Sequence, residues 1–102
     1  MINILNYSFE GPYNTPANLQ NKAGVYAILC LNNSKYTPVD IGESADVKTR
    51  VENHDRKSCW SQKCSAQNLH VAVYYTPNMQ QSARIAIEQE LRSRFPNLCG
   101  DK

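Results

Sequence analysis

At 102 residues the chain has room for a single domain, because compact domains cluster near ~100 to 150 residues. With 41% hydrophobic and 20% charged residues it is neither starved of core formers, like a disordered chain, nor apolar enough to fill a bilayer. Eleven Lys and Arg against nine Asp and Glu leave a formal charge of +2, so any basic binding surface has to be local. In chain order, residues 1–21 are crowded with turn formers (Asn6, Gly11, Pro12, Asn14, Pro16, Asn18) and are expected to form a loop or edge segment, packed on the domain through Leu5, Tyr7 and Phe9. The longest apolar run, Val25 to Leu31, falls far short of the roughly 18 residues that suggest a membrane span. The opening Met1-Ile2-Asn3-Ile4 lacks the basic region and apolar core of a signal peptide, so a soluble, cytoplasmic protein without membrane contact is the expectation.

The domain proper is expected over residues 22–102. Val25 to Leu31 is short, continuous and apolar, as in a strand buried on both faces, and Asn32, Asn33 and Ser34 turn the chain into a second, antiparallel strand over Pro38 to Ile41. Gly42 is expected to break that strand. Ser44 or Asp46 can then cap a helix from Val47 to His54 whose Val47 and Val51 face inward and whose Arg50 and His54, four apart, share another face. A polar stretch containing Cys59, Trp60 and Cys64 allows a short helix, and Leu69 to Tyr75 alternates as a third strand. Asn78 followed three residues on by Gln81 looks like a capping box. Ala83, Ala86, Ile87 and Leu91 mark the buried stripe of a last helix that stops before Pro96.

Four cysteines (Cys30, Cys59, Cys64, Cys99) in a chain read as intracellular are expected to be free thiols. The competing reading, a zinc site from His54, Cys59, Cys64 and Cys99, lacks the usual two-residue knuckle spacing, and zinc is not expected.

Gly24-Val25-Tyr26, Asp40-Ile41-Gly42, Arg50, His54 and Ile87-Glu88 follow one another in an order and spacing that resembles the GIY-YIG nucleases, over Gly24 to about Gly100. The resemblance implies an α/β (α+β) domain, a small three-stranded antiparallel sheet flanked by helices. It also implies hydrolysis of DNA phosphodiester bonds with one Mg²⁺ or Mn²⁺ per site. Carried over residue by residue, Tyr26 is the general base, Arg50 the phosphate stabiliser, His54 a phosphate contact or proton shuttle, and Glu88 the metal ligand. Such side chains suit phosphodiester hydrolysis, since a carboxylate is a hard oxygen donor for Mg²⁺ and a guanidinium is a permanent, planar cation for a phosphate. Lys48, Arg56, Lys57 and Lys63 are candidates for further phosphate contacts.

Each candidate also has a structural reading: Tyr26 as a core aromatic, Arg50 and His54 as a solvated helix face, Glu88 as the centre of a salt-bridge ladder with Arg84 and Arg92. The chain departs from the family pattern twice. Asp40 stands where the second motif has tyrosine, and the position of the family's closing Asn falls on Cys99 or Gly100. Asp40 either points into the cleft with Glu88 as a second catalytic carboxylate or lies outside it, leaving a degraded site. The alternative function is therefore a catalytically impaired domain that binds nucleic acid or a protein partner. For an active enzyme, specificity would come from a homodimer, a partner protein or the surface loops.

Overall fold

The computed structural model describes residues 1–100. Five antiparallel strands run β1 Ile2–Ile4, β2 Tyr7–Tyr13, β3 Gly24–Asn32, β4 Lys35–Ser44 and β5 Leu69–Tyr75, in the spatial order β1-β2-β5-β3-β4. Three helices follow the strands in a mixed α+β order: α1 Val47–Glu52 and α2 Lys57–Lys63 between β4 and β5, and α3 Gln81–Arg94 after β5. The three strands expected from the sequence are β3, β4 and β5; the sheet is larger because the first thirteen residues add a hairpin whose β2 pairs with β5, Glu10 opposite Val73 and Tyr13 opposite Val71. Phe9 is fully buried there and Leu5 and Tyr7 pack beside it.

Alternation along β3 divides the core in two. Tyr26, Ile28 and Cys30 face α1 and α2 with Val47, Val51, Trp60, Val71 and Val73, whereas Val25, Ala27 and Leu29 face α3 with Ile41, Ala72, Ile87 and Leu91. Asn33 and Ser34 both take positive φ, the two-residue turn whose twist matches the strands it joins.

Several local expectations are corrected. Gly42 lies inside β4 rather than ending it, because its missing side chain is needed for space: a Cβ there would clash with the Tyr26 hydroxyl across the strand pair. Helix α1 stops at Glu52, so His54 is beyond it, and neither Asp46 at its N-cap nor Gln80 at that of α3 makes a side-chain cap bond. Asn78 is therefore not a cap. In α3, Ala86 is exposed while Arg84 and Arg92 are buried beside Ile87 and Leu91, since acceptors on β4 draw both guanidinium groups inward. The cysteines are not free: Cys30–Cys64 and Cys59–Cys99 are disulfides. The pairs are 34 and 40 residues apart, beyond the reach of a local spacing argument, and they meet because α2 packs on the sheet and the C-terminal segment returns to α2. Cross-links over loops of this size typically contribute about 2 to 4 kcal/mol, a useful share in a domain this small.

Candidate active site

The centre of the site is the outward end of the β3–β4 pair on the α1/α2 face. Tyr26 is opposite Gly42 and only 1% exposed, its hydroxyl 2.6 Å from His54 Nε2. His54 Nδ1 accepts the Arg56 backbone N–H at 3.0 Å. Asp55 Oδ1 lies 3.3 Å from the same nitrogen, but it is on an exposed side chain, whereas the amide proton has a fixed direction and a shorter path. Nδ1 is therefore assigned as the acceptor, which puts the proton of a neutral ring on Nε2 and makes His54 the donor to Tyr26 Oη. The phenol's own proton is left to point elsewhere.

Electrostatics keep both partners neutral. Burial, then the charges of Arg50 and Arg56, push the His54 imidazole down to about 4. Burial, then the negative charge of Asp40, pushes the Tyr26 phenol up to about 12, while Arg50 and Arg56 pull the other way. Arg50 extends from α1, partly exposed, with one terminal nitrogen 3.3 Å from Asp55 Oδ1. Tyr26, Arg50 and His54 thus meet, although His54 arrives from the loop after α1 and not by helical spacing.

Asp40 does not share an open cleft with Glu88. It is 0% exposed and takes five donors: Oδ1 accepts from Ile41 N, Arg56 Nη2 and Arg92 Nη1, and Oδ2 from Arg56 Nε and Trp60 Nε1, over 2.7 to 3.2 Å. Those bonds use its lone pairs, so it anchors β4 to α2 and α3 and has nothing left for a cation. Arg56 is correspondingly committed to Asp40 and is not a free phosphate contact. Lys57 reaches the Glu52 carbonyl at the end of α1, and Lys48 is half-buried on α1.

Glu88 occupies the middle of α3, half-buried. Neither flanking arginine forms the expected ladder with it: Arg84 pairs with Glu43 at 2.9 Å and Arg92 with Asp40 at 3.0 Å. Among the described residues its carboxylate makes no hydrogen bond or ion pair, and burial raises its pKa against the pull of Arg92. Glu88 feels the charges of Asp40 and Arg56, as Tyr26 does, but from α3, which packs on the other face of the sheet. Among the described residues no group of three or more His, Cys, Asp or Glu could cage a metal. One unpartnered carboxylate still fits Mg²⁺, which keeps most of its waters and dehydrates reluctantly.

Sequence reasoning missed Trp60 and Arg92 as the partners of Asp40. The available signal was an acid between Val39 and Ile41 in a strand, which cannot be buried without donors. It also missed the closing segment, where Cys99 donates its N–H to the Val39 carbonyl, offers its own carbonyl to Arg92 and is cross-linked to Cys59. Compared with protein-family models, with curated proteins and with solved structures, the chain matches none.

Proposed function

We propose that the chain is a divalent-metal-dependent endonuclease that hydrolyses DNA phosphodiester bonds, with a GIY-YIG-like arrangement of β3, β4, α1, β5 and α3. The observation that supports the reading is the cluster of Tyr26, His54 and Arg50, in which the phenol oxygen receives His54 beside the Arg50 charge; Glu88 on α3 adds a half-buried carboxylate with no bonded partner among the described residues. In this reading Glu88 holds Mg²⁺ or Mn²⁺, which when bound would neutralise charge on the non-bridging oxygens of the phosphate. Arg50 stabilises the charge that builds on the phosphorus oxygens as the attacking water arrives. Added positive charge would bring the Tyr26 pKa down so that its own proton leaves to solvent; the phenolate then receives the proton of the attacking water, and neutral His54 holds the oxygen in place. Asp40 acts here as a positioning residue.

A second reading is favoured by the raised Tyr26 pKa and the saturated Asp40: a domain that keeps the fold and binds nucleic acid or a protein partner without cutting. Supercoiled-plasmid nicking by the wild type in Mg²⁺ or Mn²⁺, against the same reaction in chelator, separates the two. Metal-dependent nicking supports the nuclease; retention of DNA with no nicking across the pH range in which the protein stays folded supports the binding domain. The two disulfides argue for an oxidising compartment rather than the cytoplasm expected from the sequence. Four titratable thiols in protein isolated under thiol-trapping conditions would reverse that.

A further inference from the structure

The face of the sheet that carries Tyr26 also holds a cavity of about 330 Å³, between the loop after β2 and the helix α2. Its floor is Ile28, Val51 and Val71, each 3% exposed or less, and Trp60 forms a wall. The opposite wall is the Tyr13 to Pro16 segment, which places the exposed polar side chains of Asn14 and Thr15 at the rim. Lys57 also lines the cavity, its ammonium held by the Glu52 carbonyl at the end of α1. Such a volume, apolar below and polar at the edge, belongs to small-ligand pockets. An apolar floor with a lysine among its lining residues suits a flat apolar group attached to an anion that could draw the ammonium from the Glu52 carbonyl. A nucleobase has two apolar faces, a hydrogen-bonding edge and a phosphate one sugar away.

The cavity is coupled to the site described above through one tilted ring contact. The Trp60 ring lies 4.7 Å, centroid to centroid, from His54, which in turn holds Tyr26. Pocket and phenol therefore lie on either side of the Trp60–His54 pair. We propose that this cavity binds a nucleobase of the substrate strand, turned out of its stack, with Lys57 on an adjoining phosphate. The proposal rests on the nuclease reading for the identity of the strand. It supplies a recognition element within the domain itself: bases that leave the stack easily, in single strands, mismatches or branch points, are the preferred occupants.

Trp60 is the single tryptophan of the chain, so the emission comes from the residue that forms this wall. Titration of the intact protein with nucleoside 5′-monophosphates is expected to change that emission saturably, while ribose 5-phosphate, which has the charge but no base, leaves it unchanged. Ala66→Phe, at an exposed lining position, fills the cavity and should weaken monophosphate binding at least about tenfold, the order lost when a base loses its packing partners. Lys57→Ala should weaken the monophosphate but not the free nucleoside. Equal responses to ribose 5-phosphate and to the monophosphates, or unchanged binding in an Ala66→Phe variant with wild-type circular dichroism, would overturn the proposal. Metal-dependent nicking without a base-dependent emission change discards the pocket and leaves the nuclease. A base-dependent change in a protein that never nicks discards the nuclease and leaves a nucleotide pocket.

Discussion

Asp40 and Glu88 both lie against Arg92, one bonded to it and the other only in its field, and they have opposite characters. Asp40 is completely buried, yet five donors make it a satisfied anion that fastens the edge strand β4 to α2 and α3. Glu88 is more exposed, yet it has no donor among the described residues, and burial disfavours its charge. The comparison teaches that the number of donors, rather than the depth of burial, separates a structural carboxylate from one free to act. A saturated acid is a fastening; an acid with no bonded partner has spare capacity for a ligand.

The largest effect that sharpens this contrast is expected from Asp40→Asn. It removes the buried carboxylate charge to which Arg56 and Arg92 both bond, and breaking a buried pair in this way costs about 3 to 5 kcal/mol. At roughly 4 to 8 °C per kcal/mol for a domain of this size, thermal unfolding should shift down by at least about 12 °C. A shift of only a few degrees would break the anchoring account. Next comes removal of the Cys59–Cys99 cross-link by the double substitution Cys59→Ser and Cys99→Ser. It should cost about 2 to 4 kcal/mol in urea unfolding, because the Cys99 carbonyl also supports Arg92. Unchanged unfolding would show that the closing segment does not brace Asp40.

A smaller effect comes from His54. Its folded pKa of about 4 lies below its ordinary value of 6.5, so the unfolded chain binds the extra proton between those two values. Stability is thus full above about pH 6.5 and declines as pH falls toward 4, at no more than about 1.4 kcal/mol per pH unit. His54→Gln should flatten that part of the stability profile, and an equal slope in both proteins would contradict the neutral, buried assignment. The smallest shift belongs to Glu88→Gln. The raised pKa of Glu88 means that its contribution to stability is present at low pH and lost as pH rises through the folded value. At neutral pH the variant should therefore melt at the same temperature as the wild type or a few degrees above; a clear loss would reveal a partner that anchors Glu88.

Much of the architecture was legible in the chain, for local reasons. The run Val25 to Leu31, the alternation from Leu69 to Tyr75 and the Pro96 stop each state a burial pattern within one element. Long-range contacts were not legible. Pro12 and Gly11 hid β2, which exists because β5 offers it an edge, and Gly42 read as a breaker because the ring it accommodates comes from another strand. Tyr26, Arg50 and His54 do come together, but not by the route expected: the helical spacing of Arg50 and His54 was immaterial, and the partners of Asp40 came from α2, the loop before it and α3. Cysteine pairing depended on the same distant contacts.

The most direct measurement is the rate of Mg²⁺-dependent plasmid nicking by Glu88→Gln beside the wild type, at matched concentration and with both proteins shown to be folded. The substitution keeps the shape of the side chain and removes only its capacity to hold a cation by charge. The account predicts nicking by the wild type and a loss of about 10²-fold or more in the variant, the scale of a positioned electrostatic contribution to catalysis. Equal rates in the two proteins would contradict it, and Glu88 would then be a bystander on the surface of α3.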